Sequence, residues 1–531
     1  MKRSTVRANL FVQLGLVLLI AVLLNLLGVR YFKRLDLTTD RVHSLSQPTK
    51  TLMKRLERPL VVKVFFTKGL EAPYNNHERL FVEKLEEFQA WSDGRMRIEV
   101  VDPSEKLVEI VDGEEKTRTR EQEALRLGVM PNQYQYRDRT RTELRQVYMG
   151  AAFLYGERQQ IIPVVNQLSG LEYDVARAIK RLIDPEPARV GYTTGHGEVE
   201  LSTDTRAPIQ ALRNQLAENN TMLVPVDLDG PTDQLDELEA LLVVGPSSAF
   251  SPLSAFRLDQ FLMSGRGVGV LLSNYQPHTE SGEVVPIFHG LEGILGAYGI
   301  RHNRDLVLDR TSNSKMPLPV RRGRVVNMVN VNTPVIPVVH DLSMDSPIVR
   351  GIPMLTMPFS STIELPEEET RDVVYTVLAK SSEESSRSQA VQKIDPYTLK
   401  EPGMAETKGA SAVLVQARGV FSSAFANQEA PDPGPDAAEE IVVRESADAR
   451  LVVSGTSHFM ANNAMAMLNL VDWLVADLSL VDIRSKTLQL PNLNPMEASQ
   501  VRILKFMNLL GPVFLILFFG LFRGFLRRRS S

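Results

Sequence analysis

The amino-acid sequence predicts an α/β protein in which two terminal transmembrane helices flank an extracytoplasmic body. Strand-like and helix-like segments alternate along the body, which is the pattern of α/β domains. An uncharged stretch of 22 residues runs from Ala8 to Val29, and another of 17 residues runs from Phe506 to Phe522. Because about 20 apolar helical residues cover a hydrocarbon core of about 30 Å, transmembrane helices are predicted over residues 10–29 and 506–522.

The two short tails predict the orientation. Residues 1–9 and 523–531 contain basic side chains and no acidic ones, and short basic segments stay in the cytoplasm while long domains translocate. We therefore expect cytoplasmic tails and a periplasmic body at a bacterial inner membrane. Two alternatives stay open, because the first stretch also fits a cleaved signal peptide and the second a buried core helix.

Composition excludes several classes of function. Of the 531 residues, 43% are apolar and 23% are charged, which is typical of a globular chain. The net charge of −4 gives no basic surface for nucleic acid. The chain has no cysteine, which excludes thiol nucleophiles, disulfides, iron–sulfur clusters and cysteine-ligated zinc. A chain without cysteine also suits an oxidising compartment.

Residues 36–185 predict a first, small α/β domain. Leu60 to Thr67 is rich in β-branched and aromatic residues, as a buried strand is. A helix follows with an apolar stripe from Phe81 to Phe88, and Met96 to Val101 returns as a strand. A further amphipathic helix from Leu171 to Leu182 is expected to complete the domain.

Residues 188–380 predict a second domain built on a doubly wound parallel sheet, because strands and helices alternate plainly there. A serine acceptor followed by proline, Ser251-Pro252, predicts the start of one of its helices. The predicted strands are Arg189 to Thr193, Met222 to Asp227, Leu241 to Val244 and Val268 to Leu272.

Residues 381–448 predict a polar, partly disordered insertion, because they are rich in Ser, Glu, Pro and Ala. Within this insertion, Ser411 to Gln416 and Val420 to Phe425 are predicted to pair as a hairpin. Residues 449–486 then supply a strand and a helix that complete the second domain.

Sequence motifs for catalysis are missing. No Gly-Lys-Ser/Thr follows a glycine loop, which argues against a phosphate-binding loop for ATP. No two of the eight histidines have the helical spacing of a zinc site. The segment Gly455-Thr-Ser457-His458 lacks the second glycine of a serine-hydrolase turn. We therefore predict no catalytic residue, no metal site and no cofactor.

The strongest candidate site is the segment from Gly195 to Glu198, directly after the first strand of the second domain. Ligands of parallel sheets collect at the carboxyl ends of the strands, where glycines permit unusual backbone angles and His with Glu can relay a proton. The alternative is a tight turn in which His196 and Glu198 cap the backbone. The predicted ligand or partner contacts are Gly195, His196, Gly197, Glu198, Ser273, Asn274, Ser457 and His458.

The order of short motifs between the two terminal stretches resembles the GldG family, auxiliary subunits of ABC transporters first associated with gliding motility. The resemblance extends over most of residues 36–486. The matching segments are Asp36-Leu37-Thr38, Ser44-Leu45-Ser46, Val101-Asp102-Pro103, Glu172-Tyr173, Gly195-His196-Gly197-Glu198, Gly245-Pro246, Asp259 to Gly265, Asp472-Trp473-Leu474 and Ile483-Arg484-Ser485-Lys486.

This resemblance implies a thioredoxin-like first domain without its cysteines and a second domain similar to class I glutamine amidotransferases. The amidotransferase activity is not implied, because the chain lacks the necessary cysteine. The implied partners are a separate ABC ATPase, a multi-span permease, the membrane, and an envelope polymer or protein as cargo.

Two other functions are compatible with the sequence. One is a membrane-anchored hydrolase or transferase that uses the crevice around His196 and Glu198. The other is a stand-alone module that binds a glycan or peptidoglycan without a transporter.

Overall fold

The fold was determined as a computed structural model. It describes residues 44–484, apart from 112–113, 138–141, 169, 199–207, 232–233, 279–282, 323–324, 367–371, 390, 392–405, 434–439, 478–479 and 482, and it also describes Lys505. The described residues from 44 to 484 belong to one compact unit.

The predicted pair of terminal transmembrane helices is the feature of the expected fold class that proves wrong. A membrane-spanning helix has to be both long and apolar, and no helix in the described part of the chain meets both conditions. The predicted segments, 10–29 and 506–522, and the tails, 1–9 and 523–531, lie outside the described residues. The architecture is a mixed α/β body with many strands.

The first half of the body is a four-stranded sheet in the order β2-β1-β7-β8. Strands β1 and β2 run parallel, whereas β7 is antiparallel to both β1 and β8. The elements of this half are α1 Gln47–Lys54, β1 Leu60–Phe66, α2 His77–Ala90, β2 Met96–Val101, β3 Lys106–Val111, β4 Glu114–Thr119, α3 Glu121–Arg126, β5 Asn132–Arg137, β6 Thr142–Val147, β7 Met149–Tyr155, β8 Arg158–Ile162 and α4 Leu171–Ile183.

Alternation along β1 explains the two layers of this half. Leu60, Val62 and Val64 point to the face covered by α1, α2 and α4, where they join one apolar core. Phe65 points to the opposite face and packs in a smaller core near α3. Successive side chains of a strand alternate between faces, so one strand contributes to both cores.

The second half centres on an eight-stranded sheet in the order β10-β9-β11-β12-β26-β25-β22-β19. Its first five strands are parallel, and the last three join antiparallel. The elements up to the middle of this half are β9 Ala188–Thr194, α5 Pro208–Glu218, β10 Thr221–Asp227, β11 Ala240–Val244, α6 Pro252–Met263, β12 Gly267–Leu271, β13 Tyr275–Pro277, β14 Val284–Pro286, α7 Glu292–Ala297, β15 Arg301–His302, β16 Leu306–Leu308, β17 Asn313–Arg322 and β18 Val325–Val339.

The remaining elements extend the large sheet and add small sheets beside it. They are β19 Asp341–Leu342, β20 Leu355–Thr356, β21 Ile363–Glu364, β22 Val373–Lys380, β23 Ser386–Ser388, β24 Thr407–Lys408, β25 Ala412–Gly419, β26 Ala449–Ser454, α8 Phe459–Asn462 and α9 Ala464–Leu474. The predicted hairpin is wrong, because β25 pairs with β22 and β26 rather than with residues 420–425. The segment that was predicted as a polar insertion therefore contains β25, a strand of the main sheet.

Both faces of the large sheet are covered by helices. On β11, Leu242 and Val244 face a core that includes α5, α8 and α9. Leu241 and Val243 face the core formed by α6 and α7. A strand that is buried on both faces consists of a continuous apolar run, as β11 does. The carboxyl ends of the five parallel strands lie together at one edge of the sheet, outside the two faces that the helices cover.

A C-terminal strap, defined as Leu480, Val481, Ile483 and Arg484, returns to the first half. Leu480 and Ile483 are buried in the core of the first sheet. Arg484 is 4% exposed and donates to Asp472 of α9 at 2.9 Å and to the hydroxyl of Tyr173 of α4 at 3.3 Å. Burial raises the pKa of Asp472 to about 6, although the charge of Arg484 opposes that rise. The strap thus joins the two halves of the body.

Candidate functional site

Two glycines shape the turn that follows β9. Gly195 has a φ of 107° and Gly197 a φ of 72°, values that side chains rarely tolerate. A Cβ atom at Gly197 would lie 2.1 Å from Ser247 Oγ. The backbone nitrogens of Ser247 and Ser248 donate to the His196 carbonyl at 2.9 and 3.0 Å. The turn is therefore tied to the segment that follows β11.

His196 and Glu198 bond to each other inside this turn. The His196 backbone nitrogen donates to Glu198 Oε2 at 2.7 Å, and His196 Nδ1 lies 3.3 Å from Glu198 Oε1. The two side chains are 5% and 1% exposed. Because a carboxylate only accepts hydrogen bonds, this contact places the imidazole hydrogen on Nδ1.

The other side of the imidazole faces Asp229 and Phe250. Nε2 lies 3.6 Å from Asp229 Oδ2, and the ring stacks on Phe250 with centroids 4.0 Å apart. Burial tends to raise the pKa of Asp229, but hydrogen bonds from Ser251 and Ser254 and the nearby His196 bring the net shift below the usual value. The exposed Asp229 carboxylate thus stays charged beside the ring.

A second group of polar residues surrounds Asn274, directly after β12. Its amide nitrogen donates to His302 Nδ1 at 3.0 Å and to the Asn303 carbonyl at 2.7 Å. Its amide oxygen lies 3.1 Å from His289 Nε2. We refer to Asn274, His289 and His302 as the Asn274 cluster. All three residues are at most 4% exposed.

The hydrogen bonds of the Asn274 cluster fix the tautomers of both histidines. His302 accepts at Nδ1, so its hydrogen sits on Nε2. His289 accepts from Leu291 at Nδ1 and therefore donates from Nε2. Burial lowers the pKa of His302 to about 3 and also lowers the pKa of His289. Both rings are therefore neutral near pH 7.

The remaining predicted contacts form a hydroxyl pair and a separate histidine. Ser273 Oγ lies 2.9 Å from Ser457 Oγ and accepts from the Ser457 backbone nitrogen at 2.9 Å. His458 packs edge-on against Phe359 at 5.6 Å, and burial lowers its pKa. Among the described residues, the His458 imidazole makes no hydrogen bond to the Ser273–Ser457 pair.

The structure therefore divides the eight predicted contacts. His196 joins Glu198, Ser273 joins Ser457, and Asn274 joins two histidines that were not predicted. Phe250 connects the first and last groups, since its ring stacks on His196 and its backbone nitrogen donates to the His289 carbonyl at 3.0 Å. Among the described residues, no side-chain hydrogen bond joins one of these three groups to another.

Sequence analysis missed Asp229, Phe250, His289 and His302. Asp229 carried a usable signal, because it follows the carboxyl end of β10, where site residues of parallel sheets collect. The sequence provided no signal for His289 or His302, because they lie 15 and 28 positions after Asn274 in loops and short elements.

The chemistry available at this edge is limited. A nucleophile and its base have to lie within hydrogen-bond distance, and no hydroxyl or amine in the described part of the chain bonds to His196 Nε2. Nor do the described side chains contain a group of three or more His, Asp or Glu able to hold a metal ion. The edge is suited to polar contact with a ligand or a protein.

Comparisons with known proteins bear on the body and on this edge. A family model described as an ABC-type uncharacterized transport system matches residues 187–478. A model described as a domain of unknown function matches residues 39–154. An uncharacterized protein of Borreliella burgdorferi is 21% identical over 388 residues, which is 70% of this chain and 69% of that protein.

A solved structure, the mmIFT52 N-terminal domain, is similar to 54% of this chain and 97% of its own length, with 15% identity and a TM-score of 0.31. A similarity this low does not bear on fold or function. The family match includes the large sheet and every predicted contact residue, and it extends over more than half of the chain. It assigns the protein an accessory role in transport. The chain belongs to the ABC transport auxiliary family described as an ABC-type uncharacterized transport system.

Proposed function

We propose that this protein is a non-catalytic, GldG-type accessory subunit that couples a separate ATPase and permease to an extracytoplasmic substrate or envelope partner. The observation that carries the proposal is the family match over residues 187–478. The order of motifs that resembles the GldG family supports the finer assignment. A coupling subunit has to contact its partners differently in their two states, which calls for a defined contact surface.

A non-catalytic role agrees with the arrangement of His196. Both its backbone nitrogen and its Nδ1 bond to Glu198 in the same turn, and the two side chains are nearly fully buried. A general base has to reach the proton that it removes. The buried imidazole of His196, which contacts Glu198 of the same turn, instead stabilises the backbone of that turn. The exposed residues of the turn are Gly195 and Gly197.

We assign the contact surface to the carboxyl edge of the large sheet. The predicted contacts Gly195–Glu198, Ser273, Asn274, Ser457 and His458 line or support this edge. Its exposed positions include Gly195, Gly197, Ser247, Ser248 and Asp229. Its hydroxyl, carboxylate and backbone groups suit a polar partner surface.

We further propose that the body faces the extracytoplasmic side of a bacterial inner membrane. The absence of cysteine supports this placement. Protease added to intact spheroplasts is expected to cleave the body. Protection of the body until the membrane is opened would contradict this location.

The proposed function is tested by affinity purification of the full chain in mild detergent. We expect an ABC ATPase and a multi-span permease to co-purify, and recovery of neither would refute the proposal. Replacing both His196 and Glu198 by alanine distinguishes the alternatives. An enzyme would lose activity while remaining folded, whereas a scaffold that stays folded keeps its partners.

The contact surface needs its own variant. Ser248→Arg adds a bulky charge at an exposed position on the proposed surface and is expected to lower the recovery of partners. Thr51→Arg, at an exposed position of α1, is the matched control and should leave recovery unchanged. Equal recovery of partner proteins with the two variants would show that the carboxyl edge is not part of the interface.

A further inference from the structure

An open cavity lies beside the hairpin that joins β7 to β8. Its volume is about 680 Å³, and it is bordered by this hairpin, the segment after α1 and the end of α4. The residues that line it lie between positions 55 and 184, before the first strand of the large sheet. Cavities of about 300–1,000 Å³ are typical of sites for small molecules. The cavity is therefore a candidate binding site separate from the carboxyl edge.

The hydroxyl of Tyr155 offers the cavity a hydrogen-bond donor. Its oxygen accepts from the backbone nitrogens of Glu57 and Arg58 at 3.0 and 3.2 Å. A phenol that accepts two hydrogen bonds still has its own hydrogen to donate, and this hydrogen has no acceptor among the described residues. Tyr155 is 8% exposed and lines the cavity. Because buried donors normally have a partner, an oxygen atom of a ligand in the cavity is a suitable acceptor.

Two arginine side chains line the cavity together with this hydroxyl. Arg158 pairs directly with Tyr155 across the hairpin, so the two side chains share one face of the sheet. Its Nη1 donates to the Leu182 carbonyl at 3.0 Å, which leaves its other N–H groups for a ligand. A Cβ atom at Gly156 would lie 3.3 Å from Nη1 of Arg58. The Arg58 guanidinium therefore lies against the hairpin, and it has no ion pair in the described part of the chain.

The other charged residues of the cavity do not occupy these donors. Arg55 donates to Asp184 at 2.6 Å, so these two charges neutralise each other. Glu57 and Glu157 are exposed, and no described residue forms an ion pair with either carboxylate. Since no such contact holds the two carboxylates toward the cavity, they can turn away from a bound anion.

We propose that this cavity binds the phosphate group of a phosphomonoester, with the Tyr155 hydroxyl and the guanidinium groups of Arg58 and Arg158 as donors. Guanidinium groups match the geometry of phosphate oxygens, and their hydrogen bonds to phosphate are charge-assisted. A phosphate presents three acceptor oxygens to donors from three segments, whereas a carboxylate has only two oxygens. This site goes beyond the proposed function and does not depend on it.

Titration calorimetry of the purified full chain tests the site. The probe is glycerol 3-phosphate, and glycerol and acetate are the comparison compounds without a phosphate group. We expect saturable binding of the phosphomonoester and at least about tenfold weaker binding of either comparison compound, because neither can make the charge-assisted bonds of a phosphate to both arginines.

The same chemical group also occurs in a lipid headgroup, and a second measurement distinguishes the two sources. The protein is co-sedimented with phosphatidylcholine vesicles, with or without one part in ten of phosphatidic acid. Binding of the soluble probe in the calorimeter assigns the site to a soluble phosphomonoester. Binding only to the vesicles that contain phosphatidic acid assigns the site to a lipid headgroup.

Paired substitutions test the two arginines. Arg58→Gln with Arg158→Gln removes both guanidinium donors and is expected to weaken binding by at least about tenfold. Arg126→Gln with Arg213→Gln is the matched control, because it makes the same change in net charge at exposed positions of α3 and α5. Distant exposed charges are largely screened by salt, so the control should change binding less than about twofold.

The two carboxylates give a prediction of opposite sign. Glu57→Gln with Glu157→Gln removes negative charge next to the cavity and is expected to tighten the binding of glycerol 3-phosphate by about two- to fivefold. A ligand that is held mainly through a positive group would instead bind this variant more weakly. Weaker binding of glycerol 3-phosphate would therefore contradict the assignment.

Three further results would overturn the proposal. Glycerol 3-phosphate and phosphatidic acid could both fail to bind, or acetate could bind as tightly as the phosphomonoester. The arginine pair and its control could also weaken binding equally, which would show that the attraction is a general effect of net charge. Circular dichroism of each variant establishes that the compared proteins are folded.

Discussion

The turn after β9 and the cluster after β12 occupy the same edge of the sheet but are built differently. In the turn, His196 bonds to Glu198 two positions away. In the cluster, Asn274 bonds to His289 and His302, which are 15 and 28 positions away. The first arrangement is a property of a short sequence, and the second exists only after distant segments have packed. One polar edge therefore contains one site that is formed by local contacts and another that is formed by tertiary contacts.

The largest loss of stability is expected when Asn274, the central residue of the Asn274 cluster, is replaced. Asn274→Ala leaves His289 Nε2 and His302 Nδ1 buried without their partners. Unsatisfied buried groups cost about 1–3 kcal/mol each, so we expect a loss of about 3–5 kcal/mol in the free energy of unfolding. Chemical denaturation provides the measurement. Asn462→Ala, at an exposed asparagine, is the control and should cost less than about 1 kcal/mol.

A smaller loss is expected in the local turn. Glu198→Ala removes the acceptor of both the backbone nitrogen and Nδ1 of His196, and we expect a cost of about 2–3 kcal/mol. Glu198→Gln keeps an oxygen for the backbone nitrogen and should cost about 1 kcal/mol. The two variants are compared by thermal unfolding. Equal losses would show that one remaining oxygen acceptor at position 198 is not enough to support the turn.

Acid sensitivity is expected from His302 of the Asn274 cluster. The folded-state pKa of His302, about 3, is below its usual value of 6.5, so between these values the unfolded chain binds more protons. Stability is therefore complete above about pH 6.5 and falls as the pH drops, by about 1.4 kcal/mol per pH unit. The difference between the unfolding free energies of the parent protein and His302→Gln isolates this histidine from other groups such as Asp472. Parallel curves from pH 7 to 4.5 would contradict the prediction.

The smallest loss of stability is expected for the Ser273–Ser457 hydroxyl pair. Ser457→Ala removes one side-chain hydrogen bond and should cost at most about 1 kcal/mol. Ser273→Ala also removes the acceptor of the Ser457 backbone nitrogen, so it should cost more. Denaturant titrations of both variants check this order. A larger loss from Ser457→Ala would show that the hydroxyl pair has a role beyond these two contacts.

The same division into local and distant organisation explains what the sequence could predict. The strand beginning at Leu60, the apolar helix stripe at Phe81, Leu85 and Phe88, and the Ser251 cap all appear in the structure. Each depends on neighbouring residues alone, through alternation, helical spacing or a side-chain hydrogen bond to the next turn. Local patterns of this kind are therefore reliable guides to individual elements of the fold.

The wrong predictions concern features that sequence patterns alone do not determine, chiefly contacts between distant segments of the chain. Strand β25 was predicted as half of a local hairpin, but it inserts between β22 and β26, and its pairing depends on residues about 40 positions away. The expected membrane helices were predicted from hydropathy alone, and no described helix meets the requirement for spanning. The predicted contact Asn274 was placed at the right strand end, but its histidine partners could not be inferred from spacing.

The strap described above has a consequence for the order of folding. Leu480 and Ile483 belong to the apolar core of the first sheet, although almost 300 residues separate them from the end of α4. During synthesis, the first half therefore emerges from the ribosome long before the side chains that complete its interior. Sequential folding from the N-terminus, which is common in multidomain chains, leaves this half incomplete until the last part of the body arrives. The nascent first half would then have to stay soluble, or be shielded by a chaperone, for most of translation.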